Sequence, residues 1–151
     1  MQTTEALYHY ARSRGHAVYR RPLRHTRAMS VRMPDGRCAI AIDPWKMDTL
    51  GQETVCLAHE LGHCETGAFF TYRAQAAEIT SCELRAERWA ICFLLPYDDL
   101  CRQIAAGLQV PHALAEHFEV PEAMVLDAIA YYKAIGLAVP APALSPGATQ
   151  P

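Results

Sequence analysis

Two histidines and a glutamate in the middle of the chain have the spacing of a metal-dependent hydrolase. Residues 57–64 read Leu-Ala-His-Glu-Leu-Gly-His-Cys and so contain His59-Glu60-x-x-His63. On an α-helix, residues four apart lie one above the other, about 6 Å apart along the axis. His59 and His63 can therefore hold one zinc ion, and Glu60 can reach the water that completes its coordination. Composition alone would produce this pattern in roughly 2% of such chains, so a zinc site requires further residues.

The third ligand is predicted on a second helix. A catalytic zinc site needs three protein ligands and one open position. Glu83 follows the histidine pair within a predicted helix over 78–95, among apolar neighbours such as Ile79 and Ala86. A carboxylate on an apolar face is costly unless it is paired or bound to a metal, so Glu83 is the predicted third ligand. Glu87, one turn later, could accept an N–H from a ligand histidine. Alternatively, both glutamates form ion pairs with nearby arginines: Arg73, Arg85 and Arg88.

These residues predict a zinc endopeptidase mechanism. His59, His63 and Glu83 would hold Zn²⁺, and Glu60 would act as general base towards the bound water. The oxyanion formed on the scissile carbonyl needs a donor besides the metal. Tyr72 and His25 are both candidates for this donor, and the sequence does not choose between them.

The surrounding elements predict an α+β fold with one domain over residues 1–137. Its small N-terminal sheet is expected to be antiparallel, and the remainder is mainly helical, with the histidine helix packed on the Glu83 helix. Residues 138–151 are Ala/Pro-rich and predict a disordered tail. The strand pair before the histidine helix offers an exposed edge for an extended peptide. Helices are predicted over 3–13, from a capping box at 49–52 to about 64, and over 78–95, 98–106, 111–118 and 121–135; strands are predicted over 17–19, 28–33 and 38–42.

Composition places the chain among ordinary globular proteins. Apolar residues make up 51% and the formal net charge is −2. No apolar run approaches the roughly 20 residues of a membrane span, and no signal peptide is evident, so we expect a cytoplasmic protein with reduced cysteines. Residues 1–37 carry eight arginines against Glu5 and Asp35. This basic segment could meet nucleic acid or an acidic partner, or it could be a solvated surface.

The paired motifs resemble the ImmA/IrrE metallopeptidases. The resemblance rests on His59-Glu60-Leu61-Gly62-His63 and on residues 83–90, Glu-Leu-Arg-Ala-Glu-Arg-Trp-Ala, followed by Leu94-Leu95-Pro96. It covers roughly residues 30 to 135, with Glu87 where the family more often has Asn or Asp. The resemblance implies a zincin-like fold and zinc-dependent, site-specific cleavage of a protein. The implied substrate is a helix-turn-helix repressor encoded nearby on a phage or mobile element, or a stress-response regulator.

Two other functions remain open from the sequence. One is a non-cleaving module of the same fold that sequesters a regulator, as an anti-repressor does. The other is DNA binding, because residues 113–125 resemble a helix-turn-helix pattern. Direct DNA binding is disfavoured, since the second helix carries Glu122 and Asp127 against only Lys133.

The cysteines near the motif also allow two interpretations. They either pack helix interfaces or form a thiol-based redox switch. The cysteines concerned are Cys56, Cys64 and Cys82.

Overall fold

The computed structural model describes residues 3–140 and confirms the α+β class. A three-stranded sheet follows the first helix, and in the described chain a short 3-10 helix (Pro44–Lys46) and five further α-helices follow the sheet. The predicted tail lies, from residue 141 onward, outside the described residues. The elements are α1 (Thr3–Ser13), β1 (Ala17–Arg20), β2 (Ala28–Arg32), β3 (Cys38–Ile42), α2 (Leu50–Thr66), α3 (Ala76–Leu94), α4 (Tyr97–Ala105), α5 (Pro111–Phe118) and α6 (Glu122–Ala134).

The sheet is mixed, whereas the sequence predicted an antiparallel one. Its strand order is β1-β3-β2, with β3 in the centre. The predicted hairpin of β2 and β3 is present, and Gly36 occupies its turn with a φ of +86°. β1, however, pairs in parallel with β3. Residues 21–27 carry the chain past the end of β3 to the far edge, so β3 enters between the two earlier strands and runs in the direction of β1.

The histidine-bearing helix α2 begins and ends at residues that its sequence indicates. The Thr49 side chain accepts a hydrogen bond from the Gln52 N–H, and the Gln52 side chain accepts one from the Asp48 N–H. This is the predicted capping box with the return bond shifted by one residue. Gly67 ends the helix with a φ of +67°, a left-handed conformation that glycine adopts without strain.

The core lies between the sheet and the helices, with α2 at its centre. The inward side chains of β3, including Ile40 and Ile42, are buried together with Leu57 and Leu61 of α2. The segment that resembles a helix-turn-helix also faces this core, with five residues buried: Leu114, Ala115, Val120, Met124 and Val125. Within residues 3–140, no helix is both long and apolar enough to cross a membrane.

Candidate metal centre

Three predicted ligands from α2 and α3 converge on one point. His59 Nε2 lies 2.9 Å from Glu83 Oε2, and His63 Nε2 lies 3.1 Å from Glu83 Oε1. The two Nε2 atoms are 3.2 Å apart. Donor atoms around tetrahedral zinc, with bonds of about 2.0–2.2 Å, are separated by about 3.3 Å. The three side chains therefore have both the donor types and nearly the spacing of a zinc site.

The hydrogen bond of His63 Nδ1, the ring nitrogen that points away from Glu83, indicates which kind of group fits between the three side chains. His63 Nδ1 lies 2.6 Å from the Ala68 carbonyl oxygen, which can only accept, so Nδ1 carries the proton. In the neutral ring, Nε2 then presents a lone pair to the Glu83 carboxylate. A lone pair and a carboxylate this close repel each other unless a cation lies between them. The arrangement fits a metal ion, and the carbonyl holds the ring in the required tautomer.

A close approach of α2 and α3 places Glu83 opposite the histidines. Gly62 lies directly against Ala86: a Cβ atom at position 62 would lie 2.3 Å from the Ala86 carbonyl oxygen. Only glycine permits this separation of the two backbones. Gly62 lies between His59 and His63 on α2, and Ala86 lies one turn after Glu83 on α3. The glycine of the motif therefore sets the distance between the histidines of α2 and Glu83 of α3.

Glu60 of α2 lies beside the three clustered side chains, where α2 faces the sheet. The Ser30 hydroxyl of β2 donates a 2.6 Å hydrogen bond to Glu60 Oε2. A cavity of about 250 Å³ separates β2 from the cluster, and Glu60, His63 and Glu83 all border it. Its apolar lining comes from both sides of the opening: Ala28 and Met29 of β2, and Ala68, Phe69 and Phe70 after α2.

Several local expectations about the site are wrong. Glu83 is not buried in an apolar face, since 45% of its side chain is exposed. Within residues 3–140, Glu87 makes no hydrogen bond to His59 or His63, and the outer nitrogen of His63 is used by the Ala68 carbonyl. The nearby arginines do not pair with either glutamate: Arg85 donates to the Thr66 carbonyl oxygen, Arg73 donates to the Tyr72 hydroxyl, and Arg88 lies over the ring of Tyr131.

Neither predicted oxyanion donor borders the cavity. Tyr72 is 91% exposed on the loop between α2 and α3, and His25 lies exposed in the segment between β1 and β2. Sequence reasoning also missed Ser30 and the Ala68 carbonyl. Neither has a sequence signal, because a serine in a strand and a backbone oxygen are recognised only by what they contact.

A second group of possible ligands lies behind α2 but is occupied by hydrogen bonds. It consists of His16, Cys38 and Cys64. His16 Nδ1 accepts from the Cys38 N–H at 3.0 Å, and its Nε2 donates to Glu65 Oε1 at 2.8 Å. Both ring nitrogens are therefore used within the fold. Burial raises the pKa of the Cys64 thiol, the opposite of what a reactive thiolate requires. These contacts support the packing interpretation of Cys64.

Glu65 of α2 connects this helix to α1 and the residues just after α1 through hydrogen bonds. Burial opposes its ionisation, but hydrogen bonds from His16, Arg14 and Tyr10 outweigh that effect and hold the pKa of Glu65 below its usual value. The ionised carboxylate is thus stabilised by three donors, which between them contact both of its oxygens. This network fixes the last turn of α2, which carries His63, against the N-terminal helix.

Comparison with known proteins identifies the family of the chain. Comparison with curated proteins returned no match. The sequence model of a peptidase family, described as the IrrE N-terminal-like domain, matches residues 11–129. The matched range includes the whole sheet, the two helices that carry the candidate metal ligands and most of the helical remainder. Its agreement with the paired motifs at 59–63 and 83–90 confirms the resemblance to ImmA/IrrE metallopeptidases. The chain belongs to the IrrE N-terminal-like peptidase family.

Proposed function

We propose that this protein is a zinc-dependent endopeptidase with His59, His63 and Glu83 as metal ligands and Glu60 as the catalytic base. The observation that carries the proposal is that His59, His63 and Glu83 converge on one point, and that Glu60, His63 and Glu83 line one cavity beside an edge of β2 that is unpaired within residues 3–140. Zinc bound there would polarise the scissile carbonyl and lower the pKa of its water towards about 7. The remaining chemistry belongs to the protein's own groups.

Glu60 is held ready to move a proton. Its Oε2 is engaged by Ser30, so Oε1 is the oxygen that takes the proton from the attacking water and later gives it to the leaving amine. The hydrogen bond from Ser30 fixes the carboxylate without neutralising it. Because Ser30 belongs to β2, the strand that borders the cavity also positions the base.

The free edge of β2 provides a place for the substrate backbone. Within residues 3–140, β2 pairs only with β3, which leaves its other edge open above the cavity. An extended peptide added to this edge would have its main chain aligned past Glu60 and the ligand cluster. This arrangement supports cleavage within a chain, as in an endopeptidase.

We further propose that the substrate is a helix-turn-helix transcriptional repressor or a comparable regulator, in phage, mobile-element or stress-response control. This part of the proposal rests on the family alone. The first protein to test is the product of the neighbouring gene, if that gene encodes a repressor. Incubation with the zinc-loaded protein should release two discrete fragments. Binding without a cut would instead support the anti-repressor function.

The decisive variant is Glu60→Gln. It should retain zinc, because Glu60 is not among the three clustered ligands, and it should lose cleavage. Glu87→Gln is the matched control: the same change on α3, outside the lining of the cavity, should leave the rate unchanged. Zinc is measured by mass spectrometry and cleavage by gel. If Glu60→Gln cuts at the wild-type rate, Glu60 is not the base.

A further inference from the structure

The free edge of β2 has a defined hydrogen-bonding register. In an antiparallel pair, every second residue directs its N–H and C=O groups to the partner strand, and the residues between them direct theirs away. The Asp43 N–H donates to the Arg27 carbonyl oxygen, and the Met33 N–H donates to the Arg37 carbonyl oxygen. Both contacts continue the register of β2 with β3, so the odd-numbered positions of β2 bond to β3. The positions whose main-chain groups face the free edge are Ala28, Ser30 and Arg32.

The side chain of Arg32 lies at one end of the cavity. Side chains alternate between the two faces of a strand, so Arg32 projects on the same side as Ser30, whose hydroxyl donates to Glu60 of α2. Arg32 Nη1 lies 3.7 Å from the point that a Cβ atom of Gly67 would occupy, at the end of α2. Ala68, the next residue, lines the cavity. The Arg32 guanidinium is therefore beside the end of the cavity that Ala68 forms.

The charge of Arg32 is exposed and unpaired. Within residues 3–140, no carboxylate oxygen lies within 4.0 Å of its guanidinium nitrogens. In the same range, its side chain donates no hydrogen bond. By contrast, Arg37 and Arg102 are each paired with a neighbouring aspartate. A free guanidinium beside the cavity can bind a carboxylate through two parallel hydrogen bonds.

The position of an acidic group along the β2 edge should matter. Glu60 and Glu83 both border the cavity, away from the end at which Arg32 lies. A substrate carboxylate opposite Ser30 would lie beside Glu60, and like charges repel. Two residues further along the strand, about 7 Å away, the same carboxylate would meet Arg32 instead. Charge therefore favours an acidic residue at the Arg32 end of the edge and disfavours one at the centre.

We propose that Arg32 is a specificity-determining residue, which binds an acidic side chain of the substrate two residues along the extended chain from the residue opposite Ser30. This inference rests on the proposed function, in which the substrate adds to the free edge of β2. Residues directly opposite each other on neighbouring strands have Cβ atoms about 4.5–5.5 Å apart and side chains on the same face. A Glu or Asp opposite Arg32 is therefore within reach of its guanidinium. The acidic residue precedes the cut if the two strands are antiparallel and follows it if they are parallel.

The test measures binding of peptide hydroxamates to the zinc-loaded full chain. A hydroxamate occupies the open position of a catalytic zinc ion and so fixes the register of the peptide. One set of fluorescein-labelled peptides of about five residues carries the hydroxamate at the C-terminal end and a second set at the N-terminal end, which probes both sides of the cut. In each set, a single Glu, Gln or Lys is moved through the positions of an otherwise uncharged sequence. Fluorescence anisotropy gives the affinities, without any cleavage.

We expect a charge preference in one of the two sets, at the second or third residue from the hydroxamate. There the Glu peptide should bind about two- to fivefold more tightly than the Gln peptide, and about tenfold more tightly than the Lys peptide, at low salt. Moving the Glu by one residue should remove the gain, because its side chain then points to the other face. Arg32→Gln should abolish the preference, and Arg32→Glu should reverse it in favour of Lys.

The matched control is Arg12→Glu, the same change of charge at an exposed position of α1 outside the cavity lining, which should keep the wild-type preference. The proposal is overturned if the hydroxamates bind but charge has no effect at any position, if Arg32→Gln keeps the preference, or if Arg12→Glu alters it equally. A lower Tm of Arg32→Gln with an unchanged preference would assign Arg32 to the C-terminal end of α2 alone and would also overturn the proposal. If no hydroxamate binds, the proposed function fails and this inference fails with it, whereas binding without a charge preference overturns only the inference.

Discussion

Replacing Gly62 with alanine should force α2 and α3 apart and disrupt the metal centre. The added Cβ would lie 2.3 Å from the Ala86 carbonyl oxygen and 2.9 Å from its carbonyl carbon and Cα. All three atoms belong to the backbone of α3, so no side-chain rotation can relieve the contact. The helices must separate, and Glu83 moves with α3.

The size of the effect follows from these distances. A normal contact of at least 3.0 to 3.4 Å requires a separation of roughly 0.7 to 1 Å. Ligand distances in zinc sites vary by only about 0.2 Å, so Glu83 would leave the coordination distance, and zinc affinity should fall about 100-fold or more. Overpacking lowers the free energy of unfolding by about 1–3 kcal/mol. The better helix propensity of alanine offsets up to about 1 kcal/mol of this loss.

The assay measures zinc by competition with a chromogenic chelator and stability by thermal unfolding of the metal-free protein. For a chain of this size, a net loss of about 1–2 kcal/mol lowers the Tm by about 3–8 °C. Gly51→Ala, in the first turn of the same helix, is the matched control. Its Cβ would lie 3.3 Å from the Pro121 Cδ atom, and zinc affinity should not change. If Gly62→Ala binds zinc as tightly as the wild type, close helix packing does not position Glu83.

Three further predictions concern the base, the metal and the network beneath the site. Ser30→Ala should keep zinc but lower kcat about tenfold, while Ser30→Thr keeps most activity; loss of zinc in Ser30→Ala would assign a different role to Ser30. Removing zinc with EDTA should lower the Tm of the wild type, and added zinc should restore it. Glu83→Gln should show no such recovery, because zinc stabilises the folded state only when all three ligands are present. Equal recovery in both proteins would refute Glu83 as a ligand. Because the pKa of Glu65 is lowered by folding from its usual 4.5, its ionised form stabilises the protein above that pH, and this contribution is lost as the pH falls through the folded pKa. Glu65→Gln should therefore unfold at lower urea than the wild type at pH 7, and the difference should shrink as the pH falls below 4.5. A difference independent of pH would contradict this linkage.

Local features of the structure were predictable because short-range physics controls them. The spacing of His59 and His63 puts both rings on one face of any helix that contains them. The capping residue Thr49 and the terminal Gly67 mark the ends of that helix through hydrogen bonds and backbone conformation within a few residues. The hairpin of β2 and β3 likewise follows from the turn at residues 34–37. The approach of Glu83 to the histidines was predicted from the chemistry of zinc, which requires a third ligand.

The remaining features depend on contacts between segments that are distant in the chain. β1 pairs in parallel with β3 because residues 21–27 carry the chain across the end of the sheet before β2 begins. The sequences of the strands alone do not encode this direction. The contact between Ser30 and Glu60 exists only because β2 packs beside α2, and the Ala68 carbonyl orients His63 without any side-chain signal. Sequence thus determined which groups can do the chemistry, whereas tertiary packing decided which groups hold them in place, because hydrogen bonds and close backbone contacts form only once distant segments meet.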